Sequence, residues 1–157
     1  MKNTNRFGFS DDYVSSAIDK LNELLADVQV FYMNVRGFHW NIKGNKFFIL
    51  HEKFEDLYNE LAENADEIAE RILMLGGKPV HAFSDYLKMS KLGEVKDQDT
   101  DTGTVKNVLE SMKLLLSKER EISVEAADAG DEGTVDLVTG FISSQEKKVW
   151  MYDAFLS

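Results

Sequence analysis

The sequence predicts an all-α fold, a four-helix bundle in which the connection between the second and third helices is long and holds a short extra helix. Three observations predict it. The chain has 157 residues and a single proline, Pro79, so almost nothing interrupts helix propagation. Apolar residues recur at three- and four-residue spacing through four segments, each long enough for a helix of ~20 to 28 residues. One interval between those segments, residues 76 to 102, is far longer than a bundle turn needs.

The first helix starts at the cap Ser10 to Asp12 and carries Val14, Ile18, Leu21, Leu25, Val28, Tyr32 and Val35 on its buried face, ending near "HWNIKGN". The second runs from about Phe47 to Leu75 with Phe54, Leu57, Leu61, Ile68 and Ile72 inward. It stops at Gly76-Gly77, which can take the left-handed conformation of a C-terminal cap. Within the connection, "HAFSDYLKMS" is a candidate short helix and "KDQDTDTG" is polar loop. The third helix, about Thr104 to Ala129, uses Val105, Leu109, Met112, Leu116 and Ile122, and "GDEGT" breaks it. The fourth runs from about Thr134 to Phe155 through Leu137, Phe141 and Trp150.

A single long crossover is the hallmark of a ferritin-like bundle rather than of an up-down one. With 43% hydrophobic residues, the whole chain, 1–157, is expected to form one domain around one core. The formal net charge of -10 opposes tight binding to the phosphates of DNA and favours cation handling. Cysteine is absent, which excludes disulfides, thiolate metal sites and cysteine nucleophiles. The leading "MKNTNRFGFSDD" lacks the apolar core of a signal peptide, and no apolar run approaches the ~20 residues that span a bilayer. A cytoplasmic protein without a membrane segment is the expectation.

Two of the three histidines, His39 and His51, fall in one short aromatic stretch, "NVRGFHWNIKGNKFFILHEKFE". Bundles that hold two metals within one subunit use Glu-x-x-His motifs. None is present, because Arg36, Phe48 and Lys78 stand three residues before His39, His51 and His81. Along the second helix, at ~100° per residue, Glu55, Asp66 and Glu70 fall roughly 40°, 60° and 100° from His51, all on one stripe. The pair His51/Glu55 is nevertheless about 22 Å along the axis from Asp66/Glu70, too far to share a metal in one chain.

Positions 51 and 70 have the same midpoint as 55 and 66, between Glu60 and Leu61. Two copies of the helix packed antiparallel about a two-fold axis there would bring His51 level with the partner's Glu70 and Glu55 level with its Asp66. Ala62, Ala65 and Ala69 would allow close approach, and His39 would complete each site. Two imidazoles and three carboxylates suit iron, with zinc or manganese as competitors. Trp40 could donate an electron to a one-electron oxidant near the metal. Each element also has a plainer reading. His51/Glu55 and Asp66/Glu70 are ordinary i,i+4 surface pairs, "HWN" is a helix end with a packed aromatic, and His81, after Pro79, is a loop residue.

The blocks "RGFHWNIKGNKFFILHEKFEDLY" and "ADEIAERILMLGGKP" closely resemble the Dps family of miniferritins, and the match covers most of the chain. The resemblance implies a homo-dodecameric hollow shell built from two-fold dimers. Such a shell oxidises Fe(II), preferably with hydrogen peroxide, and stores ferric mineral inside, protecting against oxidative stress. It implies an intersubunit ferroxidase centre of His39, His51 and Glu55 from one chain with Asp66 and Glu70 from its mate. Glu55 stands where the family usually has Asp; the neighbouring Asp56 is turned away by ~100°. Three-fold entry pores lined by acids near the start of the fourth helix make Asp128, Asp131 and Asp136 candidate pore residues. Asp131 also reads as a cap of that helix. Family members that bind DNA directly often use a lysine-rich tail, whereas the leading segment offers only Lys2 and Arg6, so direct binding is not expected. The alternatives are an architectural DNA-compacting protein with a vestigial metal site and an assembly whose intersubunit site holds structural zinc.

Overall fold

The computed structural model describes residues 5–157; Lys2, part of the leading segment discussed above, lies outside them. The described residues form five helices: α1 (Asp11–Asn41), α2 (Phe47–Met74), α3 (Phe83–Met89), α4 (Asp101–Asp128) and α5 (Glu132–Leu156). α1 packs along α2 and α4 along α5, each pair joined by a short turn. α1 also packs on α4, which closes the bundle, and the short α3 lies outside against α1.

Side-chain caps set three of the starts. Ser10 Oγ accepts from the Tyr13 N–H at 3.2 Å, Thr100 Oγ1 from Gly103 N–H at 3.0 Å, and Asp131 Oδ1 from Thr134 N–H at 3.0 Å. The last two caps explain why α4 and α5 begin two or three residues before the sequence pattern suggested. α2 ends in a Schellman turn: Gly77 N–H donates to Ile72 O and Gly76 N–H to Leu73 O, with Gly76 at φ +91°. Gly77 is held against the Ile18 side chain, which a Cβ would strike at 2.7 Å.

The core is continuous along the bundle, with Phe31, Phe54, Leu21, Leu24, Ile68, Ile72, Val105, Met112 and Leu115 fully buried. Trp150 departs from expectation. It is 66% exposed, because the inward stripe of α5 runs through Val138, Phe141, Gln145 and Tyr152.

The long crossover is fastened to α1 by three buried polar side chains. Asn22 donates to Lys78 O and accepts from Val80 N–H. Asp27 Oδ1 accepts from Ser90 Oγ and Lys91 N–H. Asn34 donates to Gly93 O and accepts from Val95 N–H. Backbone groups in this irregular stretch would otherwise be orphaned against the bundle. Among the described residues, no helix is long and apolar enough to cross a membrane.

Candidate metal centre

The end of α1 and the start of α2 place His39 and His51 side by side. Their rings stack with centroids 3.8 Å apart and planes 13° from parallel. Each Nδ1–H donates to the other's backbone carbonyl, His39 to His51 O and His51 to His39 O, both at 2.7 Å. His39 lies in the last turn of α1, where the helix carbonyls lack intrahelical N–H donors, so the His51 ring N–H satisfies an acceptor that the helix leaves open. A carbonyl accepts only, so both Nδ1 atoms carry hydrogen. In the neutral imidazole, both Nε2 lone pairs are then free to bind a metal.

Glu55, one turn beyond His51, places Oε1 4.0 Å from His39 Nε2. The structure thus gathers His39, His51 and Glu55 at one end of α2. His39 is buried, His51 half-buried and Glu55 exposed. Asp66 and Glu70 are also exposed, on the same helix but toward its far end. Among the described residues of one chain, no group of three His, Asp or Glu side chains makes up a metal site by itself. Of the three alanines, Ala62 is exposed and Ala69 half-buried, but Ala65 is buried in its own bundle and offers nothing to a partner.

Three neighbours of the histidines escaped the sequence reading. Phe47 stacks on His51 at 4.8 Å, and Tyr58 meets His39 edge-on at 5.3 Å. Their spacing from His51, four residues before and seven after, puts both on its helical stripe, a signal that was available. Arg36 lies over the Trp40, Tyr58 and Tyr32 rings at 5.2, 5.1 and 5.8 Å. Trp40 itself is 57% exposed. His81 is an exposed loop residue, as its position after Pro79 suggested.

The candidate pore acids divide. Asp128 and Asp136 are exposed, and Asp136 lines a groove of about 600 Å³ between α2 and α5 with Glu63, Glu67 and Glu70. Asp131 corrects the expectation. It is fully buried in its own subunit, where it caps α5, accepts from Tyr13 Oη and Thr134 Oγ1 at 2.6 Å each, and pairs with Arg71 Nη2 at 2.6 Å. Burial alone would raise its carboxyl, but the hydrogen bonds from Thr134 and Tyr13 and the Arg71 charge outweigh burial and hold it below the ordinary aspartate value. A carboxylate neutralised in this way has no free face to offer a passing cation.

Comparison with known proteins gives a consistent answer. Residues 18–157 match the family model of the ferritin-like domain. A DNA protection during starvation protein of Porphyromonas gingivalis is 49% identical over 148 residues, covering 94% of this chain and 93% of its own. An uncharacterized protein of Haemophilus influenzae is 50% identical over 145 residues, covering 91% of each. Among solved structures, a Dps protein of Vibrio cholerae O1, from a broad superfamily of ferritin-like diiron-carboxylate proteins, superposes with a TM-score of 0.97 at 43% identity, over 100% of this chain and 99% of that one. Dps from Staphylococcus aureus gives 0.88 at 34%, over 91% and 96%. The chain belongs to the Dps family of ferritin-like proteins.

Proposed function

We propose that this protein is a ferroxidase and iron store: it oxidises Fe(II) at sites shared between two-fold-related subunits and holds the ferric product inside a dodecameric cytoplasmic shell. The reading rests on the reciprocal histidine clasp, which leaves two imidazole lone pairs free at one spot. Glu55, 4.0 Å from one of them, is within the ~4.2 Å that two donors bound at ~2.1 Å to one ion can span. Iron is the substrate. His39, His51 and Glu55 bind it from one side, and the partner's Asp66 and Glu70 supply the hard oxygen ligands that favour the ferric state. With hydrogen peroxide as oxidant, two Fe(II) and two protons are consumed per peroxide, giving two Fe(III) and two waters, so no hydroxyl radical is released. Trp40, beside His39, donates an electron to quench a one-electron oxidant near the metal.

A net charge of -10 supports cation uptake through exposed acids such as Asp128 and Asp136 and disfavours the DNA-compacting alternative. The test uses His51→Ala and Asp66→Ala. Each is expected to slow peroxide-dependent Fe(II) oxidation by on the order of tenfold or more while sedimentation shows an intact shell. Because His51 and Asp66 of one chain serve different sites, mixed dimers of the two variants regain one complete centre and part of the rate. Unchanged oxidation in both variants, or a protein that sediments as a monomer, refutes the assignment.

A further inference from the structure

We propose that Glu119 keeps its proton inside the folded bundle and shares it with Gln145, so that a neutral acid–amide pair joins α4 to α5 and opens when the acid ionises. Glu119 lies on the inward stripe of α4 between Leu115, Leu116 and Ile122, and Gln145 lies on that of α5 between Phe141 and Tyr152. Their exposures are 0% and 3%. Gln145 Nε2 donates to Glu119 Oε2 at 2.8 Å.

The other oxygen of each group, Glu119 Oε1 and Gln145 Oε1, is buried without a hydrogen-bond partner. Two orphaned acceptors on groups already joined by one bond lack a single hydrogen between them. A proton on Glu119 Oε1 supplies it, closing a ring of two hydrogen bonds and removing both desolvation costs together.

No charge on the packed elements offers another solution. On α4, Arg120 pairs with Glu146 of α5 and Lys118 with Glu23 of α1. Lys20 of α1 pairs with Glu121 and Glu125 of α4, Lys148 of α5 with Glu60 of α2, and Asp27 of α1 bonds the crossover. Burial pushes the Glu119 carboxyl up to about 8, offset only in part by the Gln145 hydrogen bond and the Arg120 charge. The folded value lies above the ordinary 4.5, so the stability supplied by the proton is fully present below about 4.5 and is lost as pH rises through about 8. Above that, a bare carboxylate faces an amide oxygen in the seam.

The experiment uses the assembled protein and its Glu119→Gln variant, whose amide can donate to Gln145 Oε1 and accept from Nε2 without ionising. At pH 7 the wild type is expected to show an infrared carboxylic-acid C=O band that disappears on titration to pH 9 and is missing from the variant. Between pH 5 and 8 the wild-type folding equilibrium should fall relative to the variant by nearly tenfold per pH unit, approaching on the order of a thousandfold in total. Absence of the band from wild type at pH 7 overturns the proposal even if the variant fails to fold. So does a stability difference that stays constant from pH 5 to 9.

Discussion

Replacing Asp131 by Ala separates a cap from a pore. The carboxylate accepts from Tyr13 Oη, Thr134 N–H, Thr134 Oγ1 and Arg71 Nη2, so the substitution strips three segments of a shared acceptor. Removing one member of a buried ion pair costs about 3–5 kcal/mol because the other charge is stranded, and loss of a cap adds about 1 kcal/mol. Arg71 keeps a hydrogen bond from Nε to Thr134 Oγ1 at 2.9 Å, and its side chain retains 13% exposure, which places the net loss near the lower end, about 3 kcal/mol. At roughly 2–4 °C per kcal/mol for a chain of this size, the melting temperature should fall by about 10 °C. Far-UV circular dichroism at one fixed protein concentration measures it, since the proposed assembly would make stability concentration-dependent. The sign with pH follows from a folded value below the ordinary 3.8. The contribution is present above pH 3.8 and lost as pH falls through the folded value, so the gap between wild type and variant should close in acid. A variant that melts like wild type yet takes up Fe(II) more slowly would refute the cap reading and restore Asp131 to the pore.

Further outcomes follow from the turns and the crossover. Gly76→Ala, forced to φ +91°, should lose about 1 kcal/mol or more by urea unfolding, whereas Gly140→Ala, inside α5 with open space around it and no positive φ, should be neutral or gain up to about 1 kcal/mol. Asn34→Ala should speed proteolytic cleavage and amide exchange near Gly93 and Val95 while leaving α4 and α5 protected, and equal acceleration throughout would refute the local pinning. Asp27→Ala should do the same near Ser90 and Lys91, where its carboxylate accepts two hydrogen bonds.

All five helices were legible because their signals are local. Caps at Ser10, the glycine pair at residues 76 and 77, and the three- and four-residue spacing of apolar residues each act within a few positions. The short helix α3 was readable from "HAFSDYLKMS" for the same reason. Trp150 was misjudged because size and apolarity do not fix the inward stripe when its neighbours Gln145 and Tyr152 compete for it. The clustering of His39 with His51 could be inferred, but not the crossed hydrogen bonds, which depend on the relative rise of two helices. Asp131 was legible as a cap of α5 as well as a pore acid, but its burial was not: its partners Tyr13 and Arg71 are 118 and 60 positions away, beyond any local pattern. Glu119 was invisible for a related reason. A charged residue on an apolar stripe signals an irregularity, but only the position of Gln145 reveals its partner.

The crossover obeys instructions written elsewhere in the chain. Asn22, Asp27 and Asn34 grip mainly peptide groups between Lys78 and Val95, and peptide groups are the same whatever side chains they bear. Mutations within that stretch can therefore accumulate while its route over the bundle persists. One change in the first helix, by contrast, redirects a passage synthesised some sixty residues later.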